Sequence, residues 1–327
     1  MTSRRDVLKS IAMSTTALGI GAASSANADP QSDAKSTITL PPPISNAERG
    51  VRIVQAQALM QEKGLAGIVI EAGTSMRYFS DLAWRQSSRL TALVIPSEGD
   101  PVVITPAFEE SKLHKLMAMD MEVRTWNEHE SPFALIGGVL DDREVIGAIG
   151  LERTTRFFVA EGLKSDVPGR EIVSASPVVS TLRQIKTTRE LDLMKAANAI
   201  TMAAYREIYP QVEAGMTGAD IGALMTASTR AHGGTPVFTL ALVGEASAYP
   251  HGSKKVHTVS ERQVVLMDCG CDVHGYKSDI SRTWVHGEAT AEHRRVWDTT
   301  RRGQDIVMQM AQIGTPIGAI DEAVRNY

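Results

Sequence analysis

The stretch from 264 to 284, VVLMDCGCDVHGYKSDISRTW, limits what this chain can become more than any other. Val264, Val265, Leu266 and Met267 form a short apolar run that ends in Asp268. A second carboxylate, Asp279, follows eleven residues later across Gly275 and Tyr276. An apolar run before a Gly-centred turn predicts two β-strands joined by that turn, with both acids facing inward. The apolar neighbours of Asp268 imply burial, and a buried carboxylate is costly without a cation or donor to compensate it. Carboxylate oxygens are hard ligands suited to Mn, Mg or Zn, and two ions about 3.5–4 Å apart need a bridging group such as a carboxylate. A plainer reading fits the same residues: Asp268 caps a turn and Asp279 pairs with Arg282, since acids beside Gly commonly serve turns.

The same stretch resembles the first metal-ligand hairpin of the pita-bread metallopeptidases, the group of prolidase, aminopeptidase P and methionine aminopeptidase. Asp268, Gly270, Gly275, Tyr276, Asp279, Arg282 and Thr283 match the pattern of that group. Ser281 stands where Thr is commoner and keeps the hydroxyl. Further upstream, Arg183, Lys186, Thr187 and Glu190 match the R-x-x-K-T-x-x-E pattern with which the pita-bread domain begins. The resemblance implies an α/β (α+β) chain, with a creatinase-like N-terminal domain over 46–182 and a pita-bread domain over 183–327.

The first 28 residues read as an export signal rather than as fold. Arg4 and Arg5 form a twin-arginine pattern, a mildly apolar stretch follows over 11–23, and Ala26-Asn27-Ala28 supplies a small-residue cleavage site. A basic amphipathic helix retained on the mature protein is the alternative. Use of the signal implies a periplasmic or secreted protein. Residues 29–45 are polar and carry three successive prolines, as an extended linker does. The net charge of −4 gives no electrostatic reason to expect nucleic acid or an anionic membrane as partner. Cys269 and Cys271, the two cysteines of the chain, point to one face of an extended strand and read as packing residues; a thiolate ligand pair is the sharper option.

Between the linker and the hairpin, periodicity predicts alternating helices and strands. A helix over 47–63 carries Val51, Val54, Ala58 and Leu59 at helical spacing. Strands are expected over 65–70, 91–95, 102–105, 122–126 and 145–150, and helices over 108–119 and 156–164. Residues 76–79 and 84–89 resemble a loop that in family members reaches toward a substrate pocket, often a dimer partner's; Trp84, Arg85 and Arg89 read equally as surface or inter-domain residues. A long helix with Thr188 as its cap opens the second domain, and a second helix spans 218–231. After the hairpin a helix is expected over 291–313, its methionines filling a core, and a further amphipathic segment begins at 317.

His251 lies seventeen residues before Asp268, where the resemblance implies a histidine that contacts substrate or moves a proton, work suited to a group titrating near neutrality. A loop histidine without a role is the alternative. The resemblance further implies hydrolysis of an Xaa-Pro bond in a proline-containing peptide, two divalent ions (Mn foremost, Co or Zn also), Asp268 chelating one ion, Asp279 bridging both, and a homodimer. The family completes its cage with one His and two Glu from later sequence, so the chain is expected to be truncated at its C-terminus and to hydrolyse little as it stands. Creatinase-like chemistry on a small molecule and a non-catalytic binding module remain the alternatives.

Overall fold

All residues of three segments, Leu65–Glu71, Ala92–Pro96 and Val102–Pro106, are buried. Continuous burial of this kind is what strands show when both faces of their sheet are covered. In the computed structural model, which describes residues 38–327, these are β1, β2 and β3 of a six-stranded mixed sheet. Its order is β4 (Glu122–Trp126), β3, β2, β1, β5 (Ala148–Leu151) and β6 (Ile172–Ser174). The β1–β2 and β2–β3 pairs are antiparallel and the other three parallel. The export signal read over 1–28 lies outside the described residues, as does most of the linker.

Two apolar layers sandwich that sheet. On one side α1 (Asn46–Glu62), α2 (Thr74–Ser80), α3 (Glu110–Leu116) and α6 (Ser176–Gln184) bring Met60, Phe79, Leu113 and Val178 against Ile68, Ile70 and Ile95. On the other, α4 (Pro132–Asp142) and α5 (Phe157–Asp166) set Ile136, Leu140 and Leu163 against Val69, Val94 and Ile104. Apolar periodicity assigns no helix to α4 or α6, and each has Pro in its first turn, where a missing N–H costs nothing.

Several expectations change in detail. The inward side of α1 is not the Val51/Val54 face, since both are more than half exposed; it carries Arg49, Arg52, Ile53, Ala56 and Met60. The two arginines turn in because acids await them, Asp81 for Arg49 and Glu190 for Arg52. Residues 76–79 are not a loop but part of α2, with Met76 and Phe79 fully buried, and Trp84 is buried as well.

The second unit of structure starts at α7 (Thr188–Ile208). Thr187, not Thr188, caps it: its hydroxyl accepts from the Glu190 amide while the Glu190 carboxylate accepts from the Thr187 amide. Next come α8 (Gly218–Ala231), β7 (Thr235–Val243), β8 (Val264–Val273), β9 (Tyr276–Lys277) and β10 (Ile280–Val285), forming an antiparallel sheet ordered β10, β8, β7 with β9 paired to β8. One face packs on α7 and α8 through Val265, Met267 and Cys269. Ile44, upstream of α1, joins Leu193, Ile200 and Cys271 in a neighbouring cluster. The last helices, α9 (Ala291–Met310) and α10 (Ile317–Arg325), pack on each other where Gly303 meets Val324. The expected methionine core of α9 is absent: Gly303 is its one buried residue, and Met308 is largely exposed.

Candidate active site

Register decides which side chains share a face of the second sheet. Asp268 sits in mid-strand on β8, opposite Leu240 of β7 and Ser281 of β10. Ser278 reaches Thr201 of α7 and Ile280 packs in the helix-side cluster, so Asp279 between them projects to the other side, that of Asp268. Val265, Met267 and Cys269 project to the other side, against the helices. The helices therefore settle which way the acids look, and they look away from them.

That face is open rather than closed inward. Asp279, Ser281 and Thr283 are exposed and Asp268 is half-buried. The burial inferred from the apolar residues around Asp268 holds for its strand neighbours, which belong to the opposite face. The Ser281 hydroxyl donates to Asp268 Oδ1 at 3.0 Å. Arg282, whose side chain lies on the helix side, donates to the Ser281 carbonyl at 2.7 Å and touches the Met202 sulfur. The Asp279–Arg282 pair of the plainer reading is thus not formed, and Asp268 is not in a turn.

Asp279 is placed by residues that sequence reasoning passed over. Ser278, just before it, is buried; its hydroxyl lies 2.7 Å from the Thr201 hydroxyl of α7 and accepts from the Cys271 amide at 2.9 Å. Its carbonyl runs so close to β8 that a Cβ on Gly270 would stand 2.3 Å from it and 2.5 Å from the Phe238 ring. Glycine at 270 is therefore a requirement of close approach between the strands, the physical content of the Asp-x-Gly pattern. A buried Ser one residue before a candidate ligand was the available signal.

His251 lies in an exposed turn after the short 3-10 helix Gly244–Ala248. Its neighbour Gly252 has φ 74°, and a Cβ there would come within 2.6 Å of Leu242. Leu242 is two residues from the partner of Asp268, so the turn folds over the sheet face that bears the acids. No hydrogen bond or ion pair joins His251 to either acid. Among the described residues no group of three or more His, Cys, Asp or Glu side chains gathers in a way that could hold a metal ion.

The turn of the hairpin is fixed from the first domain. Tyr276 donates to Glu190 Oε1 at 2.9 Å and accepts from Arg52 at 3.0 Å, while Arg52 and Glu190 pair at 3.2 Å. Burial is the main cause that pushes the Tyr276 phenol up to about 12. Arg77 of α2 meets Asp272 at 3.2 Å. On the helix side, burial likewise pushes the Cys269 thiol up to about 11, so it remains a neutral packing group; Cys271 donates to the Ala197 carbonyl at 3.3 Å.

As chemistry, the donor set suits a divalent cation in part. Asp279 has no partner among the described residues and Asp268 has one, so hard carboxylate oxygens remain available on one face. Two carboxylates leave most of a coordination sphere to other ligands.

Comparison with known proteins bears on the fold and the two-domain order. Residues 52–185 match the Creatinase/Prolidase N-terminal domain and residues 192–327 match Metallopeptidase family M24. A probable dipeptidase PepE of Mycobacterium tuberculosis is 28% identical over 84% of this chain and 74% of its own length. An Xaa-Pro dipeptidase of Lactobacillus delbrueckii is 24% identical over 83% and 75%. Among solved structures, a prolidase from Thermococcus sibiricus superposes with a TM-score of 0.73 at 26% identity, covering 85% of this chain and 76% of that one.

Proposed function

Since the chain joins a creatinase/prolidase N-terminal domain to a metallopeptidase family M24 domain, we propose that it serves metal-dependent hydrolysis of Xaa-Pro peptide bonds. The observation that carries this is the placement of Asp268 and Asp279 on one open sheet face, neither paired with a cation among the described residues. Asp268 and Asp279 would hold the ions, with manganese foremost and cobalt or zinc as alternatives. Once bound, such ions lower the pKa of a water enough for it to act as a nucleophile near neutral pH.

The remaining work belongs to the chain's own residues. Ser281 fixes one oxygen of Asp268 and leaves the other free. Thr201 and Ser278 hold the backbone that presents Asp279. His251, in the turn over the same face, is suited to donate to the substrate carbonyl or carry a proton to the leaving amine. We further propose twin-arginine export to the periplasm or medium, and a homodimer.

Two acids cannot enclose two cations, so this 327-residue chain is expected to bind manganese weakly and turn over little. Titration showing two tight sites would refute that. In a protein that supplies the full cage, Asp279→Asn should lower Xaa-Pro cleavage by more than the roughly 100-fold that loss of an outer partner of a metal ligand can cost. Undiminished turnover would defeat the assignment. The second reading is a non-catalytic module that binds proline-containing peptides. Peptide binding unchanged by Asp279→Asn, with no cleavage under any metal, would support it.

A further inference from the structure

A cavity of about 240 Å³ lies at the seam between the two domains, enclosed by α1, α2, α7 and the β8–β9 turn. Six of the side chains that line it are Arg or Lys, and two, Asp81 and Glu190, are acids. The acids are already engaged: Asp81 with Arg49 at 2.7 Å, and Glu190 with Arg52 and Tyr276. Arg183 reaches the Ser75 hydroxyl at 2.8 Å and Lys186 a backbone carbonyl at 3.2 Å. No ion pair joins Arg183, Lys186 or Lys277 to a carboxylate among the described residues.

A second observation bears on what fills this space. Arg49 is 3% exposed, and its Nε is buried with no hydrogen-bond partner among the described residues, although its other nitrogens bond Ile44 and Asp81. A buried N–H left unpaired costs about 1–3 kcal/mol, more on a charged group, and this one belongs to a side chain that lines the cavity. Excess positive charge in a partly enclosed site favours a ligand of opposite sign, and guanidinium forks match the planar spacing of oxyanion oxygens. The Tyr276 ring packs beside Val273 on the helix-covered side of β8, opposite to Asp268. The cavity is therefore separate from the candidate active site.

We propose that this cavity is an oxyanion site that takes one small multivalent anion, bearing either a phosphate group or several carboxylates. Bound there, the anion touches α1 of the first domain and the hairpin turn of the second, and so clamps the two together. The inference does not depend on the peptidase reading.

The test is calorimetric titration of the 327-residue chain with inorganic phosphate and, separately, citrate, at ionic strength held constant with chloride. One saturable equivalent of phosphate or citrate is expected, and which of them binds tighter identifies the class of source. Lys186→Gln combined with Lys277→Gln should weaken binding by about tenfold, the combined worth of two exposed charge contacts. Both lysines are exposed, so the variant should melt as the parent does without anion. Arg183→Gln serves as an independent second variant. Heats no larger than those of chloride, or binding that neither variant alters, would overturn the proposal.

Discussion

The two sheets of this molecule obey opposite rules. In the first domain, β1, β2 and β3 are buried at each position because helices cover both faces. In the second, β8 has every odd-numbered residue from 265 to 273 buried, whereas every even-numbered one except Gly270 is only partly so, because helices cover one face. A doubly covered sheet spends both its faces on stability and leaves none for chemistry. A singly covered sheet can offer polar side chains at fixed register, and Asp268, Asp279 and Ser281 stand on that free side. The first domain is then a brace, and its grip on the hairpin turn is how it reaches the site.

If this contrast is right, truncation should be costly where both sides are packed and cheap at the uncovered end. Phe79 is fully buried and meets Tyr78 edge-on with ring centroids 4.9 Å apart. Phe79→Ala should cost about 3–5 kcal/mol by chemical denaturation. Trp297, 57% exposed on α9, should cost no more than about 0.5 kcal/mol when replaced by Ala. Equal losses would erase the contrast and mean that α9 is covered in solution.

The brace is tested at Glu190. Its removal leaves Arg52 buried without its counter-charge, and breaking a buried pair from one side costs roughly 3–5 kcal/mol. The adjoining cavity admits water, so Glu190→Ala should fall at the low end of that range. A loss below about 1 kcal/mol, the level of an exposed pair, would show that the domains do not lean on this contact. Smaller still is the effect expected at Gly270, where an added methyl must push the Ser278 carbonyl away. Gly270→Ala should cost about 1–3 kcal/mol as overpacking does, and should weaken manganese binding if Asp279 is the ligand proposed above, while leaving the first domain's thermal transition in place.

The same contrast explains what could be read from residues alone. Strands β1 to β3 are contiguous apolar runs, so their positions follow from composition over five or so residues. The hairpin is legible because its constraints are local: a turn glycine, a close-approach glycine and two acids at fixed spacing. The face of α1 was not legible, because Arg49 and Arg52 are drawn inward by Asp81, 32 residues from Arg49, and by Glu190, 138 residues from Arg52. Short-range periodicity therefore picked Val51 and Val54. Likewise α9 has a clear apolar stripe, yet among the described residues α10 covers it only around Gly303, and Val296 stays half exposed. Amphipathicity reports that a face seeks a partner and is silent on which one. The openness of the Asp268 face escaped for the same reason, since coverage is a property of topology and not of any window of sequence.

The mildest expected effect concerns pH. Tyr276 is held in its neutral form chiefly by burial, which pushes its pKa up to about 12, against about 10 when the chain is unfolded. The folded state thus holds the phenolic proton more tightly. This contribution is complete below the unfolded value and is lost as pH rises through the folded one. Arg52 opposes the shift, because its positive charge favours the phenolate, whereas Glu190 reinforces it. Stability should therefore be insensitive to this group up to about pH 10 and decline between about 10 and 12. The Cys269 thiol titrates in that window too, so the informative quantity is the difference between the parent and Tyr276→Phe. The variant should lose the hydrogen bond to Glu190 at all pH values but show the shallower slope above pH 10. Parallel slopes would mean that the phenol is solvated in the folded protein, and the first domain would then hold the hairpin through Arg77 and Asp272 alone.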